Sequence, residues 1–281
     1  MQIKIGDLIV SFSPDGPDLP DVYRCFTVEE GPPALALEVQ DGMIPDFSLH
    51  EAVFDARVLW SSYKSAGRYI FRDKPLTKKR PRIVYSIKPD FRSGTLYARP
   101  PVPSDTLSLP PFRYPLDQIV MITLLSRNAG MVAHACGIKR GSEGVLFAGV
   151  STAGKSTMSR LWERRGGATV LNDDRVVIRK KDDGFWIYGT PWHGDAKLFS
   201  PDGAPLKKIF FIRHGEKNEI RKIGPMDAAS RMVVCSFSPF WDREGMDAVL
   251  GLCSELAATV PCYELSFVPD ESVLDLLERE I

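Results

Sequence analysis

Gly149, Gly154, Lys155 and Ser156 in the run GVSTAGKST meet the spacing G-x-x-x-x-G-K-[ST]. Small residues so placed let successive backbone N–H groups turn inward around an anion, and a helix starting at the lysine adds the positive end of its dipole. The chemistry is phosphate binding. Lys155 would reach the β and γ phosphates of a nucleotide, and Ser156 would offer its hydroxyl to Mg²⁺, which takes hard oxygen ligands. The cradle for ATP is thus expected from Gly149, Ser151, Thr152, Ala153, Gly154, Lys155, Ser156 and Thr157. No N-K-x-D segment for reading guanine and no L-S-G-G-Q run accompanies it.

Phosphoryl transfer to a hydroxyl also needs a carboxylate to take the proton and another oxygen ligand to hold the metal. Asp173 and Asp174 end a strand-like run and suit both tasks. His134, in the apolar run MVAHACG, could orient or share a proton with one of them. The metal set expected is Ser156, Asp174 and Asp195. His193 and Asp195 sit in GTPWHGD, where proline and two glycines shape a loop that brings an aromatic, a histidine and an acid together. Arg213 could contact the transferring phosphate, although a surface role is the commoner fate of such an arginine. His50 and His214 show no partners and read as surface residues.

The elements that must position these residues follow from periodicity. GVLFAG reads as a strand, and GKSTMSRLWERR as a helix with Met158, Leu161 and Trp162 on one face. MVAHACGIK should be the neighbouring strand. ATVLNDDRVVIRK reads as two strands meeting at Asn172-Asp173-Asp174, and the second turns back through Asp183-Gly184 into FWIYG as a hairpin. LKKIFFIRH and CYELSFVP are strands; GPMDAASRMVVCSF, REGMDAVLGLCSELAATV and ESVLDLLERE are helices. In LDQIVMITLLSRNAG, Ile119, Ile122 and Leu125 fall at helical spacing, so a helix of about four turns ending at Gly130 is expected. The first 113 residues instead alternate or run apolar in short pieces such as IKIGDLIVSF, ALALEVQDG, EAVFDARVLW, RYIFRD, RIVYSIKP and GTLYARP. That is a strand-rich module. ARPPVPSDTLSLPPF, with five prolines, is the connection to the rest. Two domains are expected: 1–113, β-rich, for an acceptor or partner, and 114–281, α/β, for catalysis.

Bulk properties narrow the class. The 36 Lys and Arg equal the 36 Asp and Glu, so no net field recruits nucleic acid or an anionic membrane. Five scattered cysteines without a C-x-x-C pair argue against a disulfide framework or zinc site and for a reducing cytoplasm. The start MQIKIGDLIVSF has no secretory pattern, and no apolar run approaches the length of a membrane span.

The order of His134 strand, GVLFAGVSTAGKST, amphipathic helix and VLNDDRVVI resembles the catalytic domain of HPr kinase/phosphorylase and its related kinases, a fold shared with phosphoenolpyruvate carboxykinase. The similarity covers about residues 116 to 200. It implies a P-loop α/β domain binding ATP and Mg²⁺, with Lys155 as the P-loop lysine, His134 as the histidine before it, and Asp173 or Asp174 as general base. Asp173 is preferred. The family loop usually reads G-x-S-G-x-G-K-S, so Thr152 and Ala153 depart from it; where that backbone needs φ > 0, a threonine is costly. GTPWHGD stands in place of the HPr enzyme's downstream glycine-rich signature and is similar to the loop of related proteins encoded with peptide-modification genes. The acceptor implied is therefore a hydroxyl of a peptide, protein or small molecule, not necessarily HPr. The resemblance also makes assembly of several copies worth testing. Two other functions stay open: a nucleotide-responsive binding protein, and a phosphorylase running the reverse reaction.

Overall fold

Alternating apolar residues in the first hundred positions build one sheet, seen in a computed structural model that describes residues 1–14, 16–47, 49, 52–74, 80–100 and 110–280. His50 and residues 101–109 of the proline-rich connection lie outside these. The strands are β1 (Gln2–Ile5), β2 (Leu8–Ser13), β3 (Thr27–Val28), β4 (Leu35–Asp41), β5 (Ala52–Asp55), β6 (Trp60–Ser65), β7 (Arg68–Asp73), β8 (Ile83–Ile87) and β9 (Ser93–Ala98). Their order is β3-β1-β2-β4-β9-β8-β7-β6-β5. Only the β2–β4 and β4–β9 pairs are parallel. EAVFDARVLW is two strands rather than one, because Arg57 takes φ +60° with its amide donating to Asp55 Oδ1 at 2.6 Å. Such a turn reverses the chain.

The helix α1 (Leu116–Ser126) is shorter than expected, about three turns. Gly130 does not cap it but opens the next strand. Nor is α1 amphipathic: its apolar residues and also Asp117, Gln118, Thr123 and Ser126 are all buried. Asp117 and Thr123 find partners inside. Tyr23 donates to Asp117 at 2.5 Å, and Trp241 Nε1 donates to Thr123 Oγ1 at 2.9 Å. The chain divides into two compact units, Met1–Leu124 with Phe240–Asp242, and Leu125–Pro239 with Arg243–Ile281. The division falls inside α1 instead of before it, since most of that helix packs with the β-rich unit.

The second unit is α/β. Its strands are β10 (Gly130–Arg140), β11 (Glu143–Ala148), β12 (Thr169–Asn172), β13 (Arg175–Lys181), β14 (Gly184–Tyr188), β15 (Gly203–His214), β16 (Glu219–Lys222) and β17 (Cys262–Phe267). Its helices are α2 (Lys155–Arg165), α3 (Pro225–Val234), α4 (Arg243–Thr259) and α5 (Ser272–Glu280). The sheet runs β11-β10-β13-β14-β15-β17-β16, with β12 beside β10 and β11 pairing back to β15, in parallel. The apolar central strands bury both faces. Phe147, Phe210, Ile212, Leu265 and Phe267 meet Met158, Leu161 and Trp162 of α2 and Val273, Leu274 and Leu277 of α5. Their neighbours Leu146, Ala148, Ile209 and Phe211 pack on the other side with Ala228 and Met232 of α3 and Val249, Leu252 and Leu256 of α4. This alternation is the period-two signature of a strand covered on both faces. It fixes where β11 ends and α2 begins. No helix among the described residues is long and apolar enough to cross a membrane.

Candidate functional site

The loop between β11 and α2 is shaped by two glycines with no room for a side chain. A Cβ on Gly149 would lie 2.8 Å from Ala153 Cβ, and one on Gly154 2.6 Å from Phe267 Cζ. Gly154 also has φ +103° as the N-cap of α2. Gly154→Ala is therefore expected to weaken nucleotide binding and to cost about 1–3 kcal/mol of stability, checked by nucleotide titration and thermal unfolding. Thr152 has φ +69°. The threonine thus occupies the left-handed region that glycine favours, at a cost of about 1–2 kcal/mol. Its Oγ1 donates to Ser151 O at 2.6 Å, and its carbonyl meets His214 Nε2 at 2.9 Å.

Lys155 is buried, and its Nζ donates to Gly149 O and Val150 O, each at 3.0 Å, which centres the ammonium in the loop. Burial lowers its pKa, and the charge of Asp174 pushes it back up. A cation held in partial desolvation attracts phosphate more strongly than one in water. The first amides of α2 have no side-chain cap and point the same way.

The two aspartates have separate jobs. Asp173 is wholly buried, and its carboxylate accepts from Gly194 N at 2.7 Å and Ala196 N at 2.8 Å. It pins the loop after β14 onto the end of β12. Asp173, the aspartate preferred as base from the sequence, is closed off from solvent, whereas Asp174 lines the open cleft. Asp174 is the accessible one. Its Oδ1 lies 3.0 Å from His134 Nε2, and its Oδ2 accepts from Arg175 Nη1 at 2.7 Å. Asn172 makes the turn that separates them. Its buried Oδ1 accepts from the amides of Asp174 and Arg175 at 2.8 and 2.7 Å, while its Nδ2 donates to Thr190 O at 2.8 Å. The antiparallel register of β10 and β13 sets His134 opposite Arg175, which brings the histidine to Asp174.

Burial opposes ionisation of Asp174, but the hydrogen bond from His134 and the charges of Arg175, His134 and Lys155 prevail, and its pKa falls below the ordinary 3.8. A depressed carboxyl stabilises the fold fully above the ordinary value, and that contribution is lost as pH falls through the depressed one. The melting-temperature gap between wild type and Asp174→Asn should accordingly be constant near neutrality and close as pH drops below 3.8. A melting series in acid buffers checks it.

Lys155, Ser156, Thr157, Ser151, Thr152 and Gly154 share one open cleft of about 550 Å³ with His134, Asp174, Arg175, His193, Gly194, Asp195 and His214. His193 stacks on Phe199 with ring centroids 5.4 Å apart, so the loop presents its imidazole at the rim. His214 was expected on the bare surface; it is exposed, but it stacks on Phe267 and bonds the loop carbonyl, and so belongs to the cleft. Arg175, Asn172 and His214 are the additions that residue patterns did not supply. Asn172 carried one readable signal, since asparagine ahead of two residues needing a turn commonly bonds their amides. Arg213 is not among the cleft's residues: it lies 3.4 Å from Glu264 Oε1, beside an apolar groove with Val150 and Val234. Gly149, Ala153 and Asp173 shape the site from behind.

Among the described residues no three His, Cys, Asp or Glu side chains gather into a metal-holding group. The donors in the cleft nonetheless fit Mg²⁺, which takes one or two protein oxygens and fills its shell with phosphate and water; Ser156, Asp174 and Asp195 supply such oxygens. The cleft therefore joins an anion cradle, a hard-oxygen set and an ionised carboxylate oriented by a histidine. No family model matches the chain, and no curated protein is significantly similar to it.

Proposed function

We propose that the chain is an ATP- and Mg²⁺-dependent kinase that transfers the γ-phosphoryl group to a hydroxyl, and that its second unit has the phosphoenolpyruvate carboxykinase-like P-loop fold of HPr kinase relatives. The observation that carries this is Asp174, held by His134 at 3.0 Å, in the same cleft as Lys155 and Ser156. The order of strand, glycine-rich loop and helix supports it too. Balanced charge and five free cysteines favour the cytoplasm.

In this reading the loop amides and Lys155 hold the β and γ phosphates. The acceptor O–H gives its proton to Asp174, its oxygen bonds the γ-phosphorus, and the bond from that phosphorus to the bridging oxygen breaks as ADP leaves. Each Asp174 oxygen keeps a lone pair beyond the one given to His134 or Arg175, so the carboxylate can accept this proton while remaining fixed. Ser156 with Asp174 or Asp195 would hold Mg²⁺, which when bound would neutralise charge on the phosphates. Arg175 balances the carboxylate before transfer. The acceptor is a serine of a peptide or protein, or a small-molecule hydroxyl.

The test is incubation with γ-labelled ATP, Mg²⁺ and a peptide library or cell extract. A labelled acceptor is the expected result. Tight nucleotide binding without any labelled acceptor would assign the chain to nucleotide-responsive binding, and label recovered in pyrophosphate from a phosphorylated acceptor would assign the reverse reaction.

A further inference from the structure

A cavity of about 430 Å³ opens within the first unit, far in sequence from the phosphate loop. Three arginines, Arg72, Arg80 and Arg99, line it with one carboxylate, Asp46, over an apolar floor that includes Ile70 and Val84. The strand register explains this convergence. Arg72 pairs with Val84 across β7 and β8, and the Arg99 amide donates to Arg82 O just beyond the β8–β9 ladder, which puts Ile70, Arg72, Val84 and Arg99 on one face of the sheet.

Among the described residues these cations are under-partnered. Arg99 Nε is buried with no hydrogen-bond partner. Neither Arg80 nor the Arg99 side chain makes an ion pair or hydrogen bond among the described residues. Arg72 is held in place by Tyr63 OH at 2.8 Å and Ser61 Oγ at 3.3 Å, and its guanidinium lies 4.8 Å from the Tyr63 ring centroid. None of these groups is an anion, and Asp55 acts on it only through its charge. A buried polar group left unpaired in a native structure calls for an explanation, and a capacity to bind an anion is the direct one.

We propose that this cavity binds an organic carboxylate with an apolar body, about the size of an aromatic or branched amino acid. The guanidinium fork matches a carboxylate through two parallel N–H bonds, and the volume lies within the range of small-ligand sites, which are mainly apolar with a few placed polar groups. The apolar floor takes the hydrocarbon part, and Arg80 and Arg99 take the anion. The proposal stands on the first unit alone and is independent of the kinase reading.

The experiment is calorimetric titration of the full chain with N-acetyl-phenylalanine, N-acetyl-leucine, their amides and inorganic phosphate. At least one acid should bind about tenfold or more tightly than its amide, and Arg80→Gln should remove that preference. Arg80 is exposed and makes no bond among the described residues, so this variant is expected to keep its fold; Arg99→Gln should behave alike, with circular dichroism verifying that both are folded. Equal binding of acids and amides, phosphate binding tighter than either acid, an unchanged preference in Arg80→Gln, or no binding of any acid at millimolar concentration would each overturn the proposal.

Discussion

Asp174→Asn is expected to lower the rate of phosphoryl transfer by about 10²–10⁴-fold while leaving the affinity for ATP nearly unchanged. The amide keeps the size of the side chain and can still bond Arg175 or His134 through one end, but it cannot take a proton. Binding rests on the loop amides and Lys155, whose Nζ is held by Gly149 O and Val150 O and not by the aspartate. Steady-state rates beside a nucleotide titration separate the two effects. A parallel loss of affinity and rate would place Asp174 among the phosphate-binding groups instead.

Its neighbour should behave in the opposite way. Asp173→Asn turns one buried carboxylate oxygen into an N–H₂ that faces a backbone N–H, either that of Gly194 or that of Ala196. A donor set against a donor in a site closed to water costs about 2–4 kcal/mol, which lowers the melting temperature by roughly 5–15 °C. The loop carrying His193 and Asp195 should lose its anchor, and activity should fall because the rim is displaced. Thermal unfolding is the measurement: near neutrality Asp174→Asn should melt below wild type by the smaller gap that closes in acid, and Asp173→Asn well below both. Equal melting of the two variants would mean that the amides of Gly194 and Ala196 do not depend on Asp173.

The contrast between these aspartates shows what residue order conveyed. The shape of the glycine-rich loop was legible because its determinants are local: Gly149 and Gly154 are required by contacts with Ala153 and Phe267, and the strand and helix on either side announce themselves by period. The positive φ of Thr152 was raised only as a condition, through the glycine of the loop pattern the sequence resembles. Which aspartate faces the cleft was not. That depends on the turn bonds of Asn172 and on a loop that returns about twenty residues later to cap Asp173. His214 was invisible for a similar reason, since its partner Thr152 is reached only through the parallel pairing of β15 with β11.

Helix α1 misled in another way. Its apolar spacing suggested one buried face, whereas Asp117 and Thr123 find partners in Tyr23 and Trp241 and the whole helix is buried. Polar residues on a helix mark a solvent face only where no side chain arrives to satisfy them. Both partners come from distant parts of the chain, so periodicity could not anticipate them.

The chemical linkage of the transferred phosphate tests the kinase account most directly. Wild-type protein and Asp174→Asn, each incubated with γ-labelled ATP, Mg²⁺ and the same cell extract, should differ: the first yields an acid-stable phosphoester on a separate acceptor, and the second yields almost none. An acid-labile phosphoramidate on His134 or His193 of the chain itself, or equal labelling by both proteins, would contradict the account.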